Sequence, residues 1–291
     1  MDWSARINSA IEYIENNLDS DVNIYEVAKR AFSSPFHFQR MFFAVVGITP
    51  TEYIRRRRLT MAATDLATGA TKVTDVALKY GYESPNAFTR AFRNMHGINP
   101  REVRTSAAEL SAYQRISVHV EIKGGSNMDY KIIERPAFDI LGRSKKFTYD
   151  EFLKNGSKLW KEYVSTEEYL TLWKENQGQC GTVSGAPLMS VYLPENGSRD
   201  SFMDILGVEK MTKAASEQFE ILRVPAATYA EFNCAYQASM KVNKYIYGEW
   251  FSSTGYERDE TKPDIAAYFP IAFRSLKDMG VRWWIPIVKK D

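Results

Sequence analysis

A short pattern occurs twice in this chain, fifty residues apart. Ser34-Pro35-x-x-Phe38-x-Arg40-x-Phe42 returns as Ser84-Pro85-x-x-Phe88-x-Arg90-x-Phe92, and each copy runs on to Gly-Ile-x-Pro, at Gly47-Ile48-x-Pro50 and Gly97-Ile98-x-Pro100. A serine followed by proline opens a helix: the hydroxyl caps the first turn, and the N–H that proline lacks has no helical partner there. Phenylalanines four apart share one helix face. The sequence is therefore constrained to two equivalent small helical units, each burying an aromatic pair and carrying one arginine off that face.

The flanking residues supply a preceding helix for each copy. Ile7, Ala10, Ile11, Ile14 and Leu18 have helical spacing over Ala5–Leu18. Asn23 then caps a helix through Ile24, Val27, Ala28 and Ala31, with Glu26 placed for a capping box. In the second copy Thr71 or Thr74 caps a helix through Val73, Val76, Ala77 and Tyr80, and Gly81 supplies the turn. Each unit reads as helix, tight turn, helix. A connecting helix over Thr51–Thr68, ended by Gly69, would be on the order of 25 Å long. Successive major-groove turns on one face of DNA are about 34 Å apart.

Charge singles out the same segment. The 291 residues carry a net charge of only +2, but Lys29–Arg104 holds 13 Lys/Arg against 5 Asp/Glu, and Ser111–Asp291 holds 24 against 24. The first half suits a polyanion, and double-stranded DNA fits two presented helices best. Gln39 and Arg40, and then Asn86 and Arg90, lie off the aromatic faces; arginine can read guanine and an amide can read adenine. Of the run Arg55–Arg58, at most two side chains can face phosphates, and Arg55 and Arg56 are the candidates, with Arg58 paired internally. The N-terminus has no signal-peptide pattern and no stretch is long enough to span a membrane, so a cytoplasmic protein is expected. Cys180 and Cys234 read as free, buried thiols, and His37, His96 and His119 have no ligand-like spacing. No metal, no cofactor and no catalytic set is expected.

With Ala77 through Gly81-Tyr82, the repeated Phe-x-Arg-x-Phe and Gly97-x-x-Pro100, residues 7–104 resemble the DNA-binding domain of the AraC/XylS transcription regulators. SPFHFQRMF resembles the first recognition helix of the MarA/SoxS/Rob branch. The resemblance implies two helix-turn-helix motifs reading adjacent major grooves as a monomer, and recruitment of RNA polymerase by an activator. It places base reading at Phe36, Gln39, Arg40, Pro85, Asn86 and Arg90. Phe36 stands where close relatives have tryptophan, and Pro85 where they have a polar residue.

The second half contains its own repeat. Tyr130-x-Ile132-Ile133-x-x-Pro136-Ala137 recurs at an offset of 89 as Phe219-x-Ile221-Leu222-x-x-Pro225-Ala226. Each copy reads as strand, turn, strand (Phe138–Phe147; Thr228–Cys234) and then a helix (Asp150–Tyr163; Ala238–Phe251). Further strands are expected at Ser190–Leu193, Asp264–Phe269 and Val281–Val288, and a short one at Ile116–Ile122. The expected fold is an all-α domain with two helix-turn-helix motifs (1–108), a linker (109–127), and an α+β domain with pseudo-twofold strand-helix repeats (128–291).

YKIIERPAFDILGRSKKF, GEWFSSTGYE and Lys262-Pro263 leading into Ala266-Ala267-Tyr268 resemble the gyrase-inhibitory-like effector-binding domain, and the domain order is Rob-like. The resemblance implies a small amphipathic or drug-like effector. Aromatic walls with a carboxylate suit lipophilic cations; Trp160, Tyr163, Trp250, Tyr256, Tyr268 and Trp283 with Asp264 are the candidate lining. Relatives commonly carry glutamate just before the tyrosine matching Tyr268, where this chain has Ala267, so neutral or anionic ligands stay open. The other readings of this half are a protein-docking or sequestration module, and a small-molecule hydrolase.

Overall fold

The computed structural model describes residues 3–69, 71–105, 109–119, 128–175, 178–194, 201–211, 218–269 and 279–290. They fall into two compact units, residues 1–38 with 46–120, and residues 39–45 with 121–291. The first is helical: α1 Trp3–Asn16, α2 Ile24–Arg30, α3 Pro35–Val46 (its middle counted with the second unit), α4 Pro50–Thr68, α5 Val73–Lys79 and α6 Pro85–His96.

Asn23 caps α2 as expected, accepting from Tyr25 N–H, but without the expected capping box to Glu26. Thr49 accepts from Glu52 N–H to open α4, and Ser84 accepts from Ala87 N–H to open α6. At α5 the N-cap is Lys72, with no side-chain bond, in place of the expected threonine. Phe38, Phe42, Phe88 and Phe92 have no exposed surface. Phe88 and Phe92 pack 5.5 Å apart, ring to ring, on Leu59, Leu66, Val76 and Ala77.

The two motifs make the same turn at slightly different lengths. Ser33 N–H bonds Ala28 C=O, and Tyr82 N–H bonds Ala77 C=O, the closure that follows a left-handed residue at a helix end. That residue is Gly81 (φ 76°) in one copy and Phe32 (φ 53°) in the other. α2 and α5 thus correspond at an offset of 49 and α3 and α6 at 50, the second turn being one residue longer. A Cβ on Gly81 would also lie 2.9 Å from Arg58 Nη1.

Arg57 and Glu15 form a half-buried ion pair (2.7 Å), with Tyr53 Oη donating to the same carboxylate at 2.6 Å. This network also fixes the chain beyond the motifs. Arg57 donates to Tyr113 C=O (2.6 Å), Tyr53 Oη accepts from Ile116 N–H (3.3 Å), and Asn8 exchanges two 2.8 Å bonds with Val118. The described part of the expected linker, 109–119, therefore belongs to the first unit. Residues 116–119 form no strand, because side chains, not a neighbouring strand, take up their backbone groups. Residues 120–127 lie outside the described residues.

The second unit is built on antiparallel sheet. Its strands are β1 Tyr130–Arg135, β2 Phe138–Thr148, β3 Leu188–Pro194, β4 Ser201–Glu209, β5 Glu220–Val224, β6 Ala227–Ala235, β7 Tyr256–Arg258, β8 Asp264–Phe269 and β9 Gly280–Lys289. The order is β1-β6-β9-β8-β3-β4-β2-β5, with β7 added to β9. Helices α7 Tyr149–Val164 and α8 Glu167–Glu175 follow β2, and α9 Ser239–Tyr245 with a π-turn at Ile246–Trp250 follows β6. One face of the sheet is the core, with Ile140, Val191, Ile205, Ile265, Ala267 and Trp284 among its buried residues. The sequence reading does not contain β4, β7 or α8. In β4 an aspartate and a glycine interrupt an otherwise apolar run, the pattern of a loop.

That glycine has a steric role. Gly207 lies opposite Gly142 where β4 crosses β2, and a Cβ on either would approach the other's Cα to 2.8 Å. Gly207→Ala is expected to destabilise the chain by roughly 1–3 kcal/mol through overpacking. Urea unfolding of the variant beside the parent checks this; an unchanged midpoint would mean that the strands can part there without cost.

Candidate functional site

α6 is the more open of the two helices that end the helix-turn-helix units. With Phe88 and Phe92 turned to the core, Pro85, Asn86 and Arg90 are left exposed. Arg55 and Arg56 are partly exposed and both bind Glu52, Arg55 through two 2.8 Å bonds and Arg56 through one of 2.5 Å. Arg57 and Arg58 are internal, the latter donating to Leu18 C=O (2.9 Å) and Ser20 C=O (2.5 Å). Four consecutive arginines therefore contribute two to the surface, as helical geometry requires.

The first motif is different. Phe36 and Gln39 are buried, and the Arg40 side chain is only 12% exposed. The sequence reading placed Gln39 and Arg40 on an open polar face. Arg40 instead sits in a cage within the second unit. Its guanidinium pairs with Asp264, its Nη2 donates to Asn243 Oδ1 at 3.3 Å, and its Cζ lies 5.2, 5.8 and 5.4 Å from the ring centroids of Tyr192, Tyr247 and Trp283. Burial alone would weaken the proton's hold on that guanidinium; Tyr247 and Asp264 outweigh it and leave the pKa raised.

Strand pairing explains the cage. Opposite residues of an antiparallel pair share a face. Tyr192 of β3 lies opposite both Asp264 of β8 and Asp204 of β4, and Ala266 of β8 lies opposite Trp283 of β9. Trp283 stacks on Tyr192 at 5.9 Å, and its Nε1 donates to Ser239 Oγ of α9 at 2.8 Å. Tyr268, two pleats along β8, brings its hydroxyl 3.3 Å from that of Tyr192. Tyr247, from the π-turn, donates to Asp264 Oδ2 at 3.0 Å. Arg258 grips Asp264 Oδ1 through Nε (3.0 Å) and Nη2 (2.9 Å). Asp264 has no exposed surface, so each of these bonds answers a desolvated charge.

Asp204 is the acid that the sequence reading does not find. Buried in β4, it has no hydrogen-bond partner for Oδ1 among the described residues. Burial pushes its pKa up from 3.8 to about 7, against the pull of Ser190 and Arg40. The only signal for it was an acid within the apolar run Phe202–Val208. Ala267 lies on the core face, fully buried. An acid there would point away from the cage, so the carboxylates of this chain reach it from positions 204 and 264 instead.

Three of the seven expected lining residues meet here: Asp264, Tyr268 and Trp283. Trp250 and Tyr256 stack on each other 6.0 Å apart, and Trp250 packs edge-on to Phe232, a separate aromatic cluster. Tyr163 lies beside Tyr169 at 6.1 Å. The side chain of Trp160 lies outside the described residues. Tyr149, Tyr192 and Tyr247, not expected from sequence, belong to the cage region. Cys180 and Cys234 are free and half-buried, less enclosed than expected. Among the described residues no helix is long and apolar enough to cross a membrane.

The unfolded chain releases the Asp204 proton near pH 4 and the folded chain near 7. Between those values the folded state binds more protons, so stability falls as pH rises through that window. Asp204→Asn is expected to flatten this dependence and to add on the order of 2–4 kcal/mol at pH 8. Urea unfolding at pH 5 and pH 8 measures it; a variant that loses stability equally at both would show that the carboxylate is held by its surroundings.

Comparison with known proteins matches the two halves separately. A helix-turn-helix domain family matches residues 27–106, and the integron-associated effector binding protein family matches residues 131–287, more than half of the chain. The regulatory protein SoxS of Salmonella typhimurium is 40% identical over 98 residues, 34% of this chain and 92% of that one. The transcriptional activator AarP of Providencia stuartii is 37% identical over 103 residues, 35% of this chain and 76% of its own. The transcriptional regulator Rob of Salmonella typhimurium is 37% identical over 113 residues, 39% of each chain. By name these relatives are a regulatory protein, a transcriptional activator and a transcriptional regulator. The chain belongs to the AraC-type helix-turn-helix transcription regulators of the MarA, SoxS and Rob branch, and it joins to that DNA-binding domain an effector-binding domain of the integron-associated family.

Proposed function

We propose that this regulator activates transcription by reading promoter DNA with α3 and α6 and recruiting RNA polymerase, and that it answers to a small lipophilic cation held in the cage of its second unit. The observation that carries the effector half of this reading is the convergence of Tyr192, Tyr247 and Trp283 with two buried carboxylates on one sheet face. Ring faces and desolvated carboxylates favour a cation, and they penalise an anion of the same shape. The strand order supports a pseudo-twofold arrangement of the two sequence repeats: read from either end, each strand of one half has its counterpart in the other (β1 with β5, β6 with β2, β9 with β4, β8 with β3).

On the DNA side, the exposed trio Pro85, Asn86 and Arg90 supports base reading by α6. Arg55 and Arg56 serve phosphates once Glu52 releases them. Glu52 keeps both guanidiniums oriented in the free protein, and their interaction holds its own carboxyl below the usual range despite partial burial.

Selection of duplexes from a random pool, followed by salt-dependent titration, tests this reading. Arg90→Ala is expected to lose roughly 1–3 kcal/mol on the selected duplex and little on unrelated DNA. Arg55→Ala should weaken all duplexes alike and lower the slope of log K against log salt by about 1. Equal losses on selected and unrelated DNA for Arg90→Ala would remove α6 as a reading helix.

A further inference from the structure

Arg40 and Arg90 occupy the same position in the duplicated motif and have opposite environments. Arg90 is exposed on α6. Arg40 is paired with Asp264, bonded to Asn243 and enclosed by three rings. A guanidinium in that position cannot contact a base. We propose that Arg40 is the resident ligand of the cation cage, so that an incoming effector cation displaces it and frees the first motif to read DNA.

The construction of the cage supports exchange rather than permanent closure. If Arg40 leaves, Asp264 keeps two bonds from Arg258 on Oδ1 and one from Tyr247 on Oδ2. The buried carboxylate is then still paired, which avoids the large penalty of an isolated charge. The rings of Tyr192, Tyr247 and Trp283 offer their faces to any cation of similar width. Arg258 already holds Asp264 Oδ1, and Arg40 fills the space between Oδ2 and the three rings, so an effector cation bound there must take the volume that Arg40 occupies. Arg40 and the effector are therefore competitors, and the competition links effector binding to DNA binding. A planar amidinium on an aromatic body, matching both the carboxylate and the rings, is the chemical class that fits.

This inference rests on the cage being the effector site, and the test separates the two. Benzamidine, a planar aromatic cation, and benzamide, its uncharged counterpart, are titrated into the full-length protein with tryptophan fluorescence as readout. The titration is repeated with a saturating amount of the selected duplex, and with Arg40→Ala. Benzamidine is expected to bind at least about tenfold more tightly when the duplex is present, because an occupied cage lowers the apparent affinity by the fraction of molecules that are open. Arg40→Ala should show the same gain without DNA and no further gain with it, and benzamide should show neither. By linkage, benzamidine should tighten the parent's hold on the duplex by the same factor. The duplex comparison uses the parent protein alone, so it stands even if the variant is unstable. Benzamidine binding that is equal with and without duplex would overturn Arg40 as the competitor while leaving the cage a cation site. No benzamidine binding to any of the three would remove the cage reading, and this proposal with it.

Discussion

The second unit is organised around a carboxylate with no access to water. Asp264 opens β8, and its burial obliges the fold to bring partners to it: the Arg258 guanidinium from the end of β7, the Tyr247 hydroxyl from the π-turn, and the Arg40 guanidinium from the middle of α3. Moving such a charge from water costs several kcal/mol unless every lone pair is answered. The aromatic rings follow from the same requirement. They exclude water, which strengthens the ion pairs, and their faces carry the partial negative charge that a guanidinium seeks.

Strand alternation makes this economical in sequence. Along β8, Asp264 and Tyr268 face the cage, while Ile265 and Ala267 enter the core. A one-residue slip of that strand would exchange the two sets and bury the acid among Val191, Ile205 and Trp284. Register is thus fixed twice, once by apolar packing and once by charge. Asp204 adds a tension of a different kind. It is a buried acid with few partners, of the sort that folds retain at working sites rather than for stability.

Much of the first unit was legible because its signals are local. Ser-Pro starts, phenylalanine pairs and the glycine after each helix act within one or two turns, and Gly81 and Gly97 both take the left-handed conformation. The second unit was legible in its repeats, since Pro136-Ala137 and Pro225-Ala226 do separate consecutive strands. What escaped was non-local. Asp204 reaches the cage only because β4 pairs β3, a neighbour that the sequence does not announce. Ala267 looked like a lost acid until the pleat showed that its position faces the core. Trp250 and Tyr256 were good candidates by type, and they pack on each other instead. The sequence places Arg40 off the aromatic face, but what that face meets depends on Asp264 and Trp283, more than two hundred positions away.

The left-handed residue of the first turn has a consequence of its own. In the second motif that position is glycine, and a side chain there would meet the same left-handed strain and would also have to displace the Arg58 guanidinium. In the first motif a phenylalanine takes it, at an expected expense of about 1–2 kcal/mol, with its ring 67% exposed and the Arg6 guanidinium 5.3 Å above it. Duplication thus produced two motifs with one shared hydrogen-bond closure and unequal tolerance for change. A side chain in the second turn has to move Arg58 as well as bear the backbone strain, while one in the first bears the strain alone, so divergence between related regulators is expected to gather at the first.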